Sequence, residues 1–152
     1  MAGSIISIRN YTRPEDELSE IDFGYIAQDQ TGIPYRILIF NNYGALGGVG
    51  DVQNFKVCAY DNENKDMISD IIKNRWIQVR QVEYKGLPIT NPQWESIGGS
   101  LKYQLPYNDG KINGSDLARG DDTVLEFRMI VPNDLNLNGF HYPYICFEYE
   151  EV

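Results

Sequence analysis

Residues 122–152, DTVLEFRMIVPNDLNLNGFHYPYICFEYEEV, decide how the rest of the chain is read. Leu125, Phe127, Met129 and Val131 alternate with Glu126 and Arg128, the period of two that gives a strand one buried and one wet face. Pro132 ends that run, because proline has no N–H to continue a ladder. The segment from Asn133 to Gly139 is rich in residues that accept turn geometry, and it leads into a second extended run from Tyr142 to Glu151. There Ile145, Phe147 and Tyr149 share one side, with Tyr144, Cys146, Glu148 and Glu150 on the other. The two runs read as a strand pair joined by a hairpin loop, with the remainder packed around them.

Working outward, the same pattern recurs. Ile5, Ile6 and Ile8 predict a first strand, followed by an acidic loop, Glu15 to Glu20. Phe23, Tyr25 and Ala27 alternate in a second. Tyr35 to Asn41 predicts a central strand, since Ile37-Leu38-Ile39-Phe40 is apolar on both parities and requires cover on both faces. Val52 to Tyr60 and Trp76 to Tyr84 are further strands, and Trp94 to Gln104 is another, broken at Gly98-Gly99 by a bulge or bend. Helical spacing occurs in one place, Met67, Ile68, Ile71 and Ile72 within Asn62 to Lys73. Many short strands with turn signals between them predict an all-β protein: an antiparallel β-sandwich, immunoglobulin-like or jelly-roll-like, with at most one short helix. Residues 1–20 read as an N-terminal arm or first strand plus acidic loop, and residues 21–152 as the sandwich. Ile39, Val57, Ile77, Leu125, Phe127 and Phe147 are the predicted core positions.

Composition narrows the function. A chain of 152 residues buries roughly two thirds of its unfolded surface and folds without staples. The formal net charge of −9, with Lys and Arg scattered along the chain, argues against nucleic acid as a partner, because phosphate binding depends on clustered cations that release counterions. No apolar run is long enough to span a bilayer, and the start lacks the features of a secretory signal, so synthesis in a cytosol is expected. Two cysteines, Cys58 and Cys146, lie in apolar strands and are expected to be buried free thiols that stay reduced.

Several motifs have competing explanations. The glycine-dense loop Tyr43 to Gly50 follows a strand as a phosphate loop does, but another strand follows it where a helix is required. Asp134, Asn136 and Asn138, with Gly139, match the first half of a calcium loop, yet the twelfth position is Ile145 in place of a bidentate glutamate. They remain weak calcium candidates, and no cofactor or metal is expected. Arg119-Gly120-Asp121 is an adhesion tripeptide in a polar loop, equally explained as a turn, and Asn113-Gly114-Ser115 is a sequon that needs an export route. His141 has no second histidine with which to build a zinc site, and with no nucleophile–base pair at a useful spacing the chain is expected not to be an enzyme. The order Cys58, Trp76, Cys146 is the immunoglobulin order, but too few residues follow Cys146 to supply the final strand.

In texture, Ile37 to Asn42, Trp76 in a long strand, Trp94-Glu95-Ser96-Ile97-Gly98-Gly99 and the run from Leu125 to Tyr149 resemble the small immunoglobulin-like structural proteins of tailed-phage virions, such as decoration or head and tail accessory proteins. The resemblance implies a non-enzymatic virion protein that binds other virion proteins such as the major capsid protein, with homo-oligomerisation also open. Recognition in a sandwich moves to loops and edges, so Tyr43, Gly47 and Gly48 in one loop and Tyr107, Asp109, Arg119 and Asp121 in another are the expected partner-binding residues. The alternative is a carbohydrate-binding or adhesin-type sandwich in which Tyr43, Trp94, Tyr103 and Tyr107 stack on sugar rings.

Overall fold

The computed structural model describes residues 4–21, 23, 26, 29–114, 122–132 and 143–152. Ten strands are present among them: β1 (Ile6–Asn10), β2 (Gln30–Thr31), β3 (Tyr35–Asn41), β4 (Val52–Tyr60), β5 (Ile77–Tyr84), β6 (Leu87–Pro88), β7 (Glu95–Ile97), β8 (Tyr103–Gln104), β9 (Asp122–Val131) and β10 (Tyr144–Glu151). A single helical turn, α1 (Asp70–Lys73), precedes β5, and a 3₁₀ turn spans Tyr107–Gly110.

All described pairings are antiparallel. The larger sheet runs β1-β3-β9-β5-β6, with β2 on β9 and β7 on β5; the smaller runs β10-β4-β8. The two pack face to face as a β-sandwich. Ile37, Ile39, Leu125, Phe127, Ile77 and Val79 of the large sheet meet Phe55, Val57, Ala59 and Tyr103 of the small one in a single cluster. Ile39, Val57, Ile77, Leu125 and Phe127 are fully buried as expected, whereas Phe147 is half-buried, because β10 lies at the end of the small sheet and only packs against the core from its edge.

The double cover predicted for β3 is present. Leu38 and Phe40 form a second cluster with Val82 and Val124 on the outer face of the large sheet, roofed by Tyr11 and Tyr43. The strand β1 lies in that sheet beside β3, and the acidic segment folds back on it through Leu18 N–H to Ile8 C=O, 2.9 Å.

Four expectations are corrected. First, β9 and β10 are no hairpin: β9 sits between β3 and β5, and β10 pairs with β4 in the opposite sheet. The connection 132–143 is long enough to cross the sandwich, and only a loop of about two to five residues enforces pairing of its flanking strands.

Second, Trp94 to Gln104 is two short strands in different sheets, β7 on β5 and β8 on β4. The chain changes sheet at Gly98-Gly99. A Cβ on Gly98 would stand 2.4 Å from the Ile72 carbonyl oxygen, and Gly99 has φ +57°, so neither position accommodates an ordinary side chain. Third, the helix shrinks to one turn. Asp61 accepts hydrogen bonds from the backbone of Ile68 and Ser69 and from the Ser69 hydroxyl, which holds 61–69 as a loop and leaves Met67 and Ile68 exposed. Fourth, the polar loop after β8, expected only to carry partner-binding residues such as Tyr107 and Asp109, also contributes to the core: Ile112 is buried and exchanges backbone hydrogen bonds with Val52 at 3.1 Å. The predicted strand through Phe23, Tyr25 and Ala27 lies largely outside the described residues.

Candidate partner-binding surfaces

The described parts of the two loops expected to bind a partner, 43–50 and 107–114, come together at one end of the sandwich. They are tied by two asparagines at the end of β3, both buried. The Asn41 amide donates to Gly50 O at 2.9 Å and Ile112 O at 2.8 Å, and its oxygen accepts from Ile5 N at 3.0 Å. Asn42 donates to Leu46 O and Gly114 O, each at 2.8 Å. Buried amides with their bonds made fix a geometry, because each broken bond leaves an unsatisfied group at a cost of about 1–3 kcal/mol. Gly114 packs so closely that a Cβ there would lie 2.4 Å from Gly50 O.

At the tip, Gly47 and Gly48 are exposed with nothing near them, and Leu46 projects beside them. Tyr107 is half-exposed, with its ring 5.1 Å from that of Tyr84, and Asp109 is exposed. Tyr43 turns away from the tip: its ring packs edge-on to Phe40 at 5.0 Å and carries the Arg9 guanidinium at 3.7 Å. Arg119 and Asp121, and the calcium candidates Asp134, Asn136 and Asn138 together with His141, lie outside the described residues.

Tyr43 and Arg9 begin a feature that the sequence does not announce. Pairing in register places Arg36 of β3, Glu126 of β9 and Arg80 of β5 in one row across the outer face of the large sheet. Glu126 is buried and receives Arg36 Nε at 2.8 Å on one carboxylate oxygen and Arg80 Nε at 2.7 Å on the other. Burial works to raise its carboxyl, but the hydrogen bonds and charges of the two guanidiniums outweigh that and hold it below the usual range. Arg36 also reaches the Tyr11 hydroxyl at 3.4 Å, and that hydroxyl contacts Glu83 at 3.2 Å.

On the far side of the row the Trp94 ring lies against the guanidiniums of Arg80 and Arg128, 4.3 Å and 4.2 Å from its centroid. Arg128 donates to the Gln78 amide oxygen at 2.7 Å. Burial and the nearby Arg80 pull its pKa down. Four of the seven arginines of the chain, 9, 36, 80 and 128, thus occupy one face with Tyr11, Tyr43 and Trp94. The signal available in sequence was parity alone, and only in part: Glu126, Arg128 and Arg80 stand on the polar side of alternating strands, whereas Arg36 shares its parity with the apolar Leu38 and Phe40.

The outer face of the small sheet differs. Lys102 Nζ lies 2.8 Å and Lys65 Nζ 3.8 Å from the Glu148 carboxylate, and an open groove beside them is lined by Tyr60, Met67, Gly99 and Ser100. The hydrogen bond from Lys102 holds Glu148 below the usual carboxylate range. Tyr103, one of the residues considered for sugar stacking, is buried, with its hydroxyl accepting from Gln81 N at 2.9 Å; burial pushes that phenol up to about 12.

Guanidiniums pre-oriented on aromatic rings and on a shared carboxylate have lost much of their side-chain entropy before a partner arrives. Comparison of the chain with protein-family models, curated proteins and solved structures gives no match, so its own geometry is what bears on its function.

Proposed function

We propose that the protein is a non-catalytic structural component of a virion, a capsid decoration or head/tail accessory protein, that binds another virion protein such as the major capsid protein. The observation that carries the binding role is the arginine and aromatic face of the large sheet. Arg, Trp and Tyr are the side chains that dominate binding energy at protein interfaces. On a chain of net charge −9, a local concentration of guanidiniums selects a partner surface that offers carboxylates and backbone carbonyls. The loop end containing Leu46, Gly47 and Gly48 adjoins this face through Tyr43 and extends it. Assignment to a virion rests on the resemblance in strand and turn texture described above.

A sugar-binding role is the weaker reading. Tyr103 is inside the core, and the rings of Trp94 and Tyr43 are engaged by arginines.

The test has two arms. Mass spectrometry of purified particles should find the protein in them at a fixed stoichiometry; its absence from particles would remove the virion assignment. Trp94→Ala and Arg128→Glu should each abolish incorporation while leaving the β-sheet circular dichroism and cooperative melting in place. Normal incorporation of both variants would exclude the sheet face as the contact surface.

A further inference from the structure

Cys58 and Cys146 stand directly opposite one another in β4 and β10. In an immunoglobulin-type pair the cysteines bridge the two sheets; here both belong to the small sheet and project from its outer face, since Phe55, Val57 and Ala59 on the other parity fill the core. Cys58 is fully buried as expected, whereas Cys146, also expected to be buried, is partly exposed because it lies on the edge strand β10.

The type of pair follows from the ladder. Phe55 O accepts from Leu105 N at 3.0 Å and Ala59 O from Gly99 N at 2.9 Å, both on the β8 side of β4. Backbone groups of successive strand residues point to alternate sides, so Cys58 directs its own toward β10, and Cys58/Cys146 is a hydrogen-bonded pair. Such pairs have Cα atoms about 5.5 Å apart, inside the range of about 4.4–6.8 Å that a disulfide spans. Their Cβ atoms, also about 5.5 Å apart, exceed the roughly 3.5–4.5 Å of a relaxed disulfide. A bond can close here, but only by drawing the strands together, and strained disulfides are the readily reduced ones.

We propose that Cys58 and Cys146 form a redox-active dithiol that exchanges with small-molecule disulfides to give a reversible, strained cross-strand disulfide joining the edge strand β10 to β4. Cys146 is the entry point because it reaches solvent. Its thiolate attacks one sulfur of a disulfide such as oxidised glutathione, forming a mixed disulfide and releasing one glutathione thiolate. Cys58 then attacks the Cys146 sulfur, and the second glutathione leaves as a thiol that carries off the Cys58 proton as the protein disulfide forms. Two protein thiols are oxidised and one small disulfide is reduced to two thiols. Burial pushes the Cys58 thiol up to about 12 and raises the Cys146 thiol as well, so both attacks quicken as pH rises.

The folded protein incubated with oxidised glutathione should lose about 2 Da, two hydrogens, in non-reducing intact mass spectrometry, and peptide mapping should find Cys58 linked to Cys146. Cys58→Ser should instead accumulate the Cys146 adduct, a gain of about 305 Da, and Cys146→Ser should stay unmodified until it is unfolded. An excess of reduced glutathione should reopen the wild-type bond. A stable glutathione adduct on the wild type, or an unchanged mass in the folded state, would overturn the proposal. A bond that resists reduced glutathione and yields only to dithiothreitol would overturn its strained, reversible character.

Discussion

β9 and β10 carry the same alternating pattern and meet opposite fates. β9 lies inside the large sheet with partners on both edges, and Leu125 and Phe127 are completely buried. β10 is the terminal strand of the small sheet; its Ile145 and Phe147 are half-buried, although Phe147 and Tyr149 both reach the Phe55 ring at 5.6 Å. Each strand also presents a glutamate to the outside: Glu126 between two arginines and buried, Glu148 beside two lysines and partly exposed. A period of two reports which residues share a face. It is silent on how many neighbours the strand acquires, and that number sets the energy of each contact.

The comparison can be broken most directly in the core. Phe127→Ala should cost about 3–5 kcal/mol, the range for truncating a fully buried aromatic, while Phe147→Ala should cost about 1–2 kcal/mol because less of its surface leaves water. Urea unfolding of both variants checks this, and equal losses would mean that β10 is as deeply packed as β9.

The glutamates give the next largest contrast. Glu126→Gln should destabilise by about 2–3 kcal/mol, below the cost of breaking a fully buried pair since both guanidiniums reach solvent, and Glu148→Gln by less than about 1 kcal/mol. Both carboxyls are held below their unfolded value of about 4.3, so their stabilisation is complete above that pH and is lost as pH falls through the lower folded-state value. Melting followed between pH 7 and the acid limit should therefore show a shallower acid decline in Glu126→Gln than in wild type. A profile identical to wild type would mean that the Arg36–Glu126–Arg80 row contributes nothing to acid sensitivity.

The smallest contrast lies in the thiols under reducing conditions. Cys58→Ala should cost about 1–2 kcal/mol, as expected for a small truncation in a fully buried site, and Cys146→Ala less than about 1 kcal/mol. Thermal melts in the presence of a reductant would distinguish the two, and a larger loss at Cys146 would reverse the assignment of β10 as the weakly packed strand.

Sequence by itself determined the central strands. The spans of β3 and β4 coincide with the predicted strands, β5 differs by one residue at its start, and the double apolar parity of Ile37 to Phe40 required the two clusters that cover it. These features depend on side-chain period and turn chemistry, which act over a few residues. The partner of β10, the change of sheet at Gly98-Gly99 and the burial of Ile112 were decided by the tertiary structure, because each is a long-range pairing that loop length alone leaves open. The candidate surfaces divide in the same way. The loop residues Gly47, Gly48 and Asp109 were legible as exposed turn positions, whereas the arginine face was invisible in a chain whose cations are scattered. Residues 9, 36, 80 and 128 belong to four different strands, and only antiparallel register places side chains so distant in sequence on a common face.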